Sequence, residues 1–258
     1  MLRFRSLGSG SSGNATVVEA GSGHSVKRLL IDCGLTLKVL DQRLARAGLG
    51  ACDLDAIFVT HEHGDHIGCA RGLALRHRIP VWMSLGTYTA IGSPDFDGLL
   101  RQASDGAIID LVEMRVTPFT VPHDAREPLQ LRCSDGASSV GVLTDLGHAT
   151  PHVLAQLALC DALLLECNHE PELLERSNYS WSLKKRVGGN YGHLSNRAAA
   201  DIARALHHPK LRRVVAAHLS MQNNRPDLAC GALADALGRT SGDIAVADPV
   251  NGTGWIDV

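Results

Sequence analysis

The sequence predicts a layered α/β fold, built as a single domain over residues 1–258. Three observations point to it. Short apolar or β-branched runs alternate with stretches of helical periodicity. Those runs repeatedly end in a polar residue. No repeat of domain-building period, low-complexity tract or long linker divides the chain.

The elements follow in order. "RLLID" (28–32) reads as a strand, and "LKVLDQRLARAG" (37–48) as a helix with Leu and Val at three-to-four spacing and Gly48 as its C′ residue. "AIFVT" (56–60) is a second strand, followed by a helical pattern in "HIGCARGLALRHR" (66–78). "MRVTPFTV" (114–121), "SVGVLTD" (139–145) and "ALLLE" (162–166) are further strands. "NRAAADIARALHH" (196–208) is helical, "RVVAAH" (213–218) extended, and "NRPDLACGALADALG" (224–238) a helix with Pro226 at its start and Gly238 at its end. Polar residues at the carboxyl ends of strands stand where open α/β sheets gather their ligands.

Composition narrows the class. With 258 residues, 45% hydrophobic and 20% charged, the chain can bury a substantial core. Its longest apolar runs are far shorter than a bilayer span, and "MLRFRSLGSGSSGN" lacks the apolar stretch of a signal peptide, so a cytoplasmic protein with no membrane partner is expected. A formal net charge of −2 gives no global attraction to nucleic acid, although a local basic patch can supply one. Seven cysteines without a C-x-x-C pair read as reduced, buried thiols.

One segment concentrates the chemistry. "IFVTHEHGDHIGC" (57–69) sets three histidines, a glutamate and an aspartate straight after an apolar strand, where ionisable groups oppose burial unless something pairs with them. His61 and His63, two apart on an extended segment, project to one side. Gly64 permits a turn, after which Asp65 and His66 face the same point from the start of a helix. The pattern H-x-H-x-D-H supplies donors for two cations side by side. His123, Asp145 and His218, each after a strand, complete a set of seven ligands with room left for water, as hydrolysis requires. Zn²⁺ suits these donors, and Mn²⁺ or Fe²⁺ is admitted.

"THEHGDH", "LIDCG", "VPHDA", "TDLG" and "AHLS", in this order, resemble the metallo-β-lactamase superfamily. The resemblance implies a four-layer αβ/βα sandwich with the metal site at one edge of its two sheets. It implies one metal held by His61, His63 and His123, a second held by Asp65, His66 and His218, and Asp145 between them. Asp32 falls at the position of an aspartate that orients a ligand. Two such cations sharing a water lower its pKa and present hydroxide near neutral pH.

The substrate turns on "SWSLKKRVGGNYGHLSNRAAADIARAL". Ser195 or Asn196 is a plausible N-cap, which sets His193 at a helix N-terminus where free N–H groups favour an anion. Lys184, Lys185 and Arg186, beside Gly188 and Gly189, add positive charge, so this stretch is a candidate phosphate site. "LLLECNHE" with "GHLSN" is similar to the phosphodiesterase branch of the superfamily, in which the matching histidine protonates the leaving oxygen. That role carries to His193, with Glu166 to orient it. With "LGSGSSGNA", "VPHDAREPL" and "HLSMQNN", the chain looks most like the WalJ/YycJ group, to which a 5′-to-3′ exonuclease activity on double-stranded DNA is attributed. "SGSSGN" would be a loop near the site. The stretch from Asp145 to His218 is too short for the large nucleic-acid-binding cap of some relatives, and Arg197, Arg204, Lys210, Arg212 and Arg213 offer a locally positive side. The expectation is therefore a DNA exonuclease. The alternatives are a small-molecule esterase, thioesterase or lactonase, or a metal-binding accessory protein of bacterial envelope signalling.

Overall fold

The computed structural model describes residues 1–23 and 25–258. Six strands open the chain: β1 (Leu2–Gly8), β2 (Ala15–Gly21), β3 (Val26–Ile31), β4 (Ala56–Phe58), β5 (Val81–Met83) and β6 (Leu100–Gln102). The next seven are β7 (Ile109–Asp110), β8 (Arg115–Thr120), β9 (Leu129–Ser134), β10 (Ser139–Leu143), β11 (Ala162–Glu166), β12 (Arg213–Ala217) and β13 (Ala245–Val246). A last strand, β14 (Ile256–Asp257), returns to pair with β1. Two sheets result, in the orders β14-β1-β2-β3-β4-β5-β6 and β13-β12-β11-β10-β9-β8-β7.

Each sheet starts as an antiparallel meander and continues as parallel strands joined by helices: β3 to β6 in one, β10 to β13 in the other. The two halves thus repeat a topology without repeating a sequence. The connecting helices are α1 (Leu37–Arg46), α2 (Gly64–Ile67), α3 (Ala70–His77), α4 (Leu85–Ala90), α5 (Pro151–Leu157), α6 (Pro171–Arg176), α7 (Trp181–Val187), α8 (Asn196–Ala205) and α9 (Pro226–Leu237).

The period of two along the strands creates three packed interfaces. Leu29 and Ile31 join Leu164 and Val215 between the sheets. Leu30, pointing the other way, joins Leu40 and Leu44 of α1. On the second sheet Leu163 and Leu165 join Val153, Ile202 and Leu233 of α5, α8 and α9. The layers are helix, sheet, sheet, helix, as the resemblance implies. Pro118 is tolerated within β8 because β7 pairs only with Arg115 and Val116, so no ladder bond is missing there.

The helical pattern of 66–78 does not give one helix. It breaks at Gly68 (φ +26°), where a Cβ would stand 2.3 Å from the carbonyl oxygen of Cys33. Gly34 is tighter still, its missing Cβ 1.7 Å from the carbonyl oxygen of Asp65. The turn after β3 and the metal motif after β4 are therefore packed backbone against backbone. Gly34→Ala is expected to destabilise the protein by about 1–3 kcal/mol, read as a lower urea midpoint with unchanged slope.

Among the described residues, no helix is long and apolar enough to cross a membrane. All seven cysteines are free. Cys33, Cys133, Cys160, Cys167 and Cys230 are buried as expected, whereas Cys52 is exposed and Cys69 half-buried.

Candidate metal centre and its cleft

The carboxyl ends of β3, β4, β8, β10, β11 and β12 meet along one edge of the sandwich. Three residues there, Asp32 (φ +63°), Asp145 (φ +56°) and His218 (φ +53°), adopt the left-handed conformation that costs a non-glycine residue about 1–2 kcal/mol. Each sits directly after a strand or its last extended residues. Hydrogen bonds hold the Asp32 side chain, the backbone of His218, and Thr144 and Leu146 on either side of Asp145.

Asp32 Oδ1 accepts from the backbone N–H of Thr60 (2.8 Å) and from its hydroxyl (3.0 Å). The other oxygen, Oδ2, accepts from His66 Nδ1 (2.8 Å). With its own proton given to Asp32, the Thr60 hydroxyl accepts from His61 Nδ1 (3.0 Å). Nδ1 of His123 donates to the carbonyl of Gly192 (3.1 Å). Tying one ring nitrogen fixes the tautomer and aims the other. His61 Nε2, His63 Nδ1 and His123 Nε2 accordingly converge, with separations of 3.0 Å from the first to the second and 3.3 Å from the second to the third.

A second group forms around Asp145. His66 Nε2 lies 2.8 Å from its Oδ2 and His218 Nδ1 2.8 Å from its Oδ1, with Asp65 Oδ2 3.6 Å from His66 Nε2 and 3.8 Å from His218 Nε2. The ligand atoms of His61, His63 and His123 lie within 4.8 Å of one another, as do those of Asp65, His66 and His218, and those of His61, His66 and Asp145. Despite these short distances, Asp145 Oδ2 and both ring nitrogens of His218 are buried without a properly aligned hydrogen bond. Buried polar atoms left unpaired are costly. Imidazole nitrogens and carboxylate oxygens converging at this spacing fit a divalent cation of the Zn²⁺ or Mn²⁺ class.

Electrostatics agree with that fit. Burial and the neighbouring His66 push His61 well below the ordinary histidine range, and burial lowers His123, so both present neutral imidazoles. Burial also opposes charge on His66, but Asp145 and Asp32 outweigh it and raise its pKa well above the ordinary value. Burial would raise Asp145, yet His218 and His66 hold it well below the usual carboxylate range. A proton on His66 stands where a cation would bind, so loading this group releases it. Asp32→Asn is expected to weaken metal binding about 10–100-fold, measured by competition with a chromogenic chelator.

Above the cluster, His193 Nδ1 donates to Glu166 Oε1 (2.7 Å) and lies 3.2 Å from Asp145 Oδ1. Glu166 is fully buried and accepts also from the backbone N–H groups of Leu146 (3.0 Å) and Leu194 (3.3 Å). A cleft of about 360 Å³ opens here, lined by His63, Asp65, Asp124, Asp145, Arg186, His193 and His218 together with Ser11, Gly64, Tyr179, Leu183, Val187 and Gly192. Arg186 Nε donates to Asp124 Oδ2 (2.5 Å), and this partner keeps the guanidinium charged.

Four of the expected phosphate-site residues do not reach the cleft. Lys184, Lys185 and Arg186 lie on α7 rather than in a flexible loop, and the helical turn sends them apart. Lys184 donates to the carbonyl of Glu175, Lys185 lies over the Trp181 ring, and only Arg186 faces the metal cluster. Ser195 spends its hydroxyl capping α8 at Ala198 N (3.2 Å). Asn196 is buried and bonded to Glu170 and Asn224. Nor do the basic residues of α8 and of the segment after it converge on the cleft. Arg204 pairs with Asp201 and Arg212 with Asp161, while Arg212 and Arg213 line a cavity of about 910 Å³ at the amino end of β12.

Other contributors carry weaker signals in the sequence. Asn14, in the "SGSSGN" loop, lies with Nδ2 3.0 Å from His66 Nε2 and 3.2 Å from the carbonyl of Asp65. Ser9 Oγ accepts from His218 N (2.8 Å), and Asn168 Nδ2 donates to the carbonyl of His218 (3.0 Å). Thr60 and Asp124 are each adjacent to an expected ligand. That adjacency is the signal that could have found them.

This centre and fold define a class, and comparison with known proteins agrees. Residues 8–218 match the family model of the metallo-beta-lactamase superfamily. The chain belongs to that superfamily and is a metal-dependent hydrolase. It is 32% identical to "Exodeoxyribonuclease YycJ" of Bacillus anthracis over 232 residues, covering 88% of this chain and 86% of the relative. It is 31% identical to "Exodeoxyribonuclease WalJ" of Streptococcus pneumoniae serotype 2 over 233 residues, covering 88% and 85%. Among solved structures, the metallo-beta-lactamase fold protein YhfI of Bacillus subtilis superposes with a TM-score of 0.75 over the whole of both chains at 16% identity, a likeness of fold.

Proposed function

We propose that the protein is a dinuclear metal-dependent phosphodiesterase acting on DNA, an exonuclease that releases nucleotides from 5′ ends. The observation that carries this reading is the His193–Glu166 pair beside the ligand cluster. The relatives named exodeoxyribonucleases support the choice of DNA. In this reading His61, His63 and His123 hold one cation, Asp65, His66 and His218 the other, and Asp145 lies between them. Bound divalent cations supply an acidified water and neutralise charge at the attacked group.

The chain's own residues do the rest. Arg186 faces the cleft as the cation for a non-bridging phosphate oxygen, steadied by Asp124. His193 has Nδ1 engaged by Glu166, which leaves Nε2 to give a proton to the departing alkoxide. A nucleotide alkoxide is a poor leaving group, so a positioned acid adds what charge neutralisation alone does not. Burial disfavours the imidazolium, but Glu166 and Asp145 outweigh it and keep His193 protonated well above the ordinary range. The carboxylate of Glu166 holds the ring and its tautomer through this exchange.

The reading is tested by giving the metal-loaded protein a short DNA duplex and, separately, a p-nitrophenyl carboxylic ester. Cleavage of the DNA with little turnover of the ester is expected. Fast ester hydrolysis with intact DNA would replace the nuclease with an esterase of the same fold.

A further inference from the structure

The cleft does not end at the ligand cluster. Ser11 and Tyr179 form part of its wall and also part of the wall of a second trough of about 260 Å³. The two spaces differ in chemistry. The first is crowded with carboxylates, imidazoles and Arg186. The second contains no carboxylate, imidazole, ammonium or guanidinium. Its walls are the apolar surfaces of Tyr179, Leu219 and Met221 and the neutral hydrogen-bonding groups of Ser12, Ser220 and Gln222.

An uncharged trough offers a phosphate no opposite charge. It suits a flat, neutral ring with polar edges. Its volume is below the roughly 300–1,000 Å³ that encloses a drug-sized ligand, so it takes one ring system. Met221 is 80% exposed, which leaves a polarisable side chain available to pack on such a ring. Tyr179 is half-buried, and a phenol face stacks on any base without reading its sequence.

Resting on the DNA-nuclease reading above, we propose that this trough is the subsite for the nucleobase next to the phosphodiester being cut, with Tyr179 as its stacking platform. The end nucleotide of a duplex would leave its pair to enter, as bases do in enzymes that work on one nucleotide at a time. The division of labour is then spatial. Charge around the ligand cluster meets the phosphate, and the neutral trough meets the base.

The test uses duplex DNA whose terminal nucleotide is either natural or abasic, with metal-loaded wild type, Tyr179→Ala and Tyr179→Phe. Loss of one stacked base, about 1–3 kcal/mol, corresponds to roughly 5- to 150-fold in kcat/KM. The wild type should lose within that range on the abasic end. Tyr179→Ala should lose a comparable factor on natural DNA and nothing further on abasic DNA, while Tyr179→Phe recovers most of the loss. Equal losses for Tyr179→Ala on both DNAs, or no loss on either, would overturn the subsite. If the wild type released no nucleotide from either DNA, the nuclease reading itself would fall. Titration with thymidine 5′-monophosphate would then judge the trough alone: equal affinity for wild type and Tyr179→Ala overturns it, and severalfold weaker binding to the variant supports it.

Discussion

Asp145→Asn should reduce nucleotide release from DNA by about 10³-fold or more, on the scale of losing a central electrostatic element of a site, while the fold persists. Asp145 is buried, in the left-handed conformation, with His66 and His218 each 2.8 Å from one of its oxygens. The amide keeps the shape of the carboxylate but removes the negative charge that faces two imidazoles and that the proposed cations would share. Metal content measured by plasma mass spectrometry should fall with the rate. A thermal midpoint near that of the wild type would show that chemistry rather than folding was lost. Full rate with unchanged metal content would mean that Asp145 is not a ligand.

His193→Ala should behave differently. It removes the proposed acid and leaves all seven expected ligands in the chain, so metal content should stay near the wild-type level. On DNA, kcat should drop about 10²–10⁴-fold, the usual contribution of a positioned acid. An aryl phosphodiester, whose nitrophenolate leaves without help, should lose far less. This contrast separates proton donation from a structural role, because a distorted cleft would slow both substrates alike. Equal losses on the two substrates would remove His193 from the mechanism. Glu166→Gln should follow His193→Ala in direction with a smaller effect, since the amide still accepts from the ring but no longer balances its charge.

The candidate ligand cluster was legible because its signal is local. His61, His63, Asp65 and His66 fall within one turn after one strand, and His123, Asp145 and His218 each follow a run that reads as a strand. The structure brings the ligand atoms of these seven residues into overlapping groups. Four of the five expected phosphate-site residues do not reach the cleft, for two physical reasons. Residues adjacent in sequence on a helix do not share a face, so Lys184 and Lys185 turn away from the cleft that Arg186 reaches. The Ser195 hydroxyl is spent on the Ala198 N–H, one of the donors at the start of α8 that would have attracted an anion. The strands β1 and β9 were harder to see, because Arg3, Arg5 and Arg132 interrupt their apolar residues. The break at Gly68 was invisible, since it depends on a contact with Cys33 rather than on its own neighbours. The trough beside the cleft joins Ser11, Tyr179 and Met221 from three distant segments, and no spacing in the sequence announces it.

One assay tests the nuclease activity most directly. Internally labelled duplex DNA, with one end blocked at a time, is incubated with the protein loaded with Zn²⁺ or Mn²⁺, alongside Asp65→Ala. Release of nucleotides from free 5′ ends by the wild type, and none by the variant, is the expected result. No release under either metal, or full-rate release by Asp65→Ala with its metal content unchanged, would contradict it.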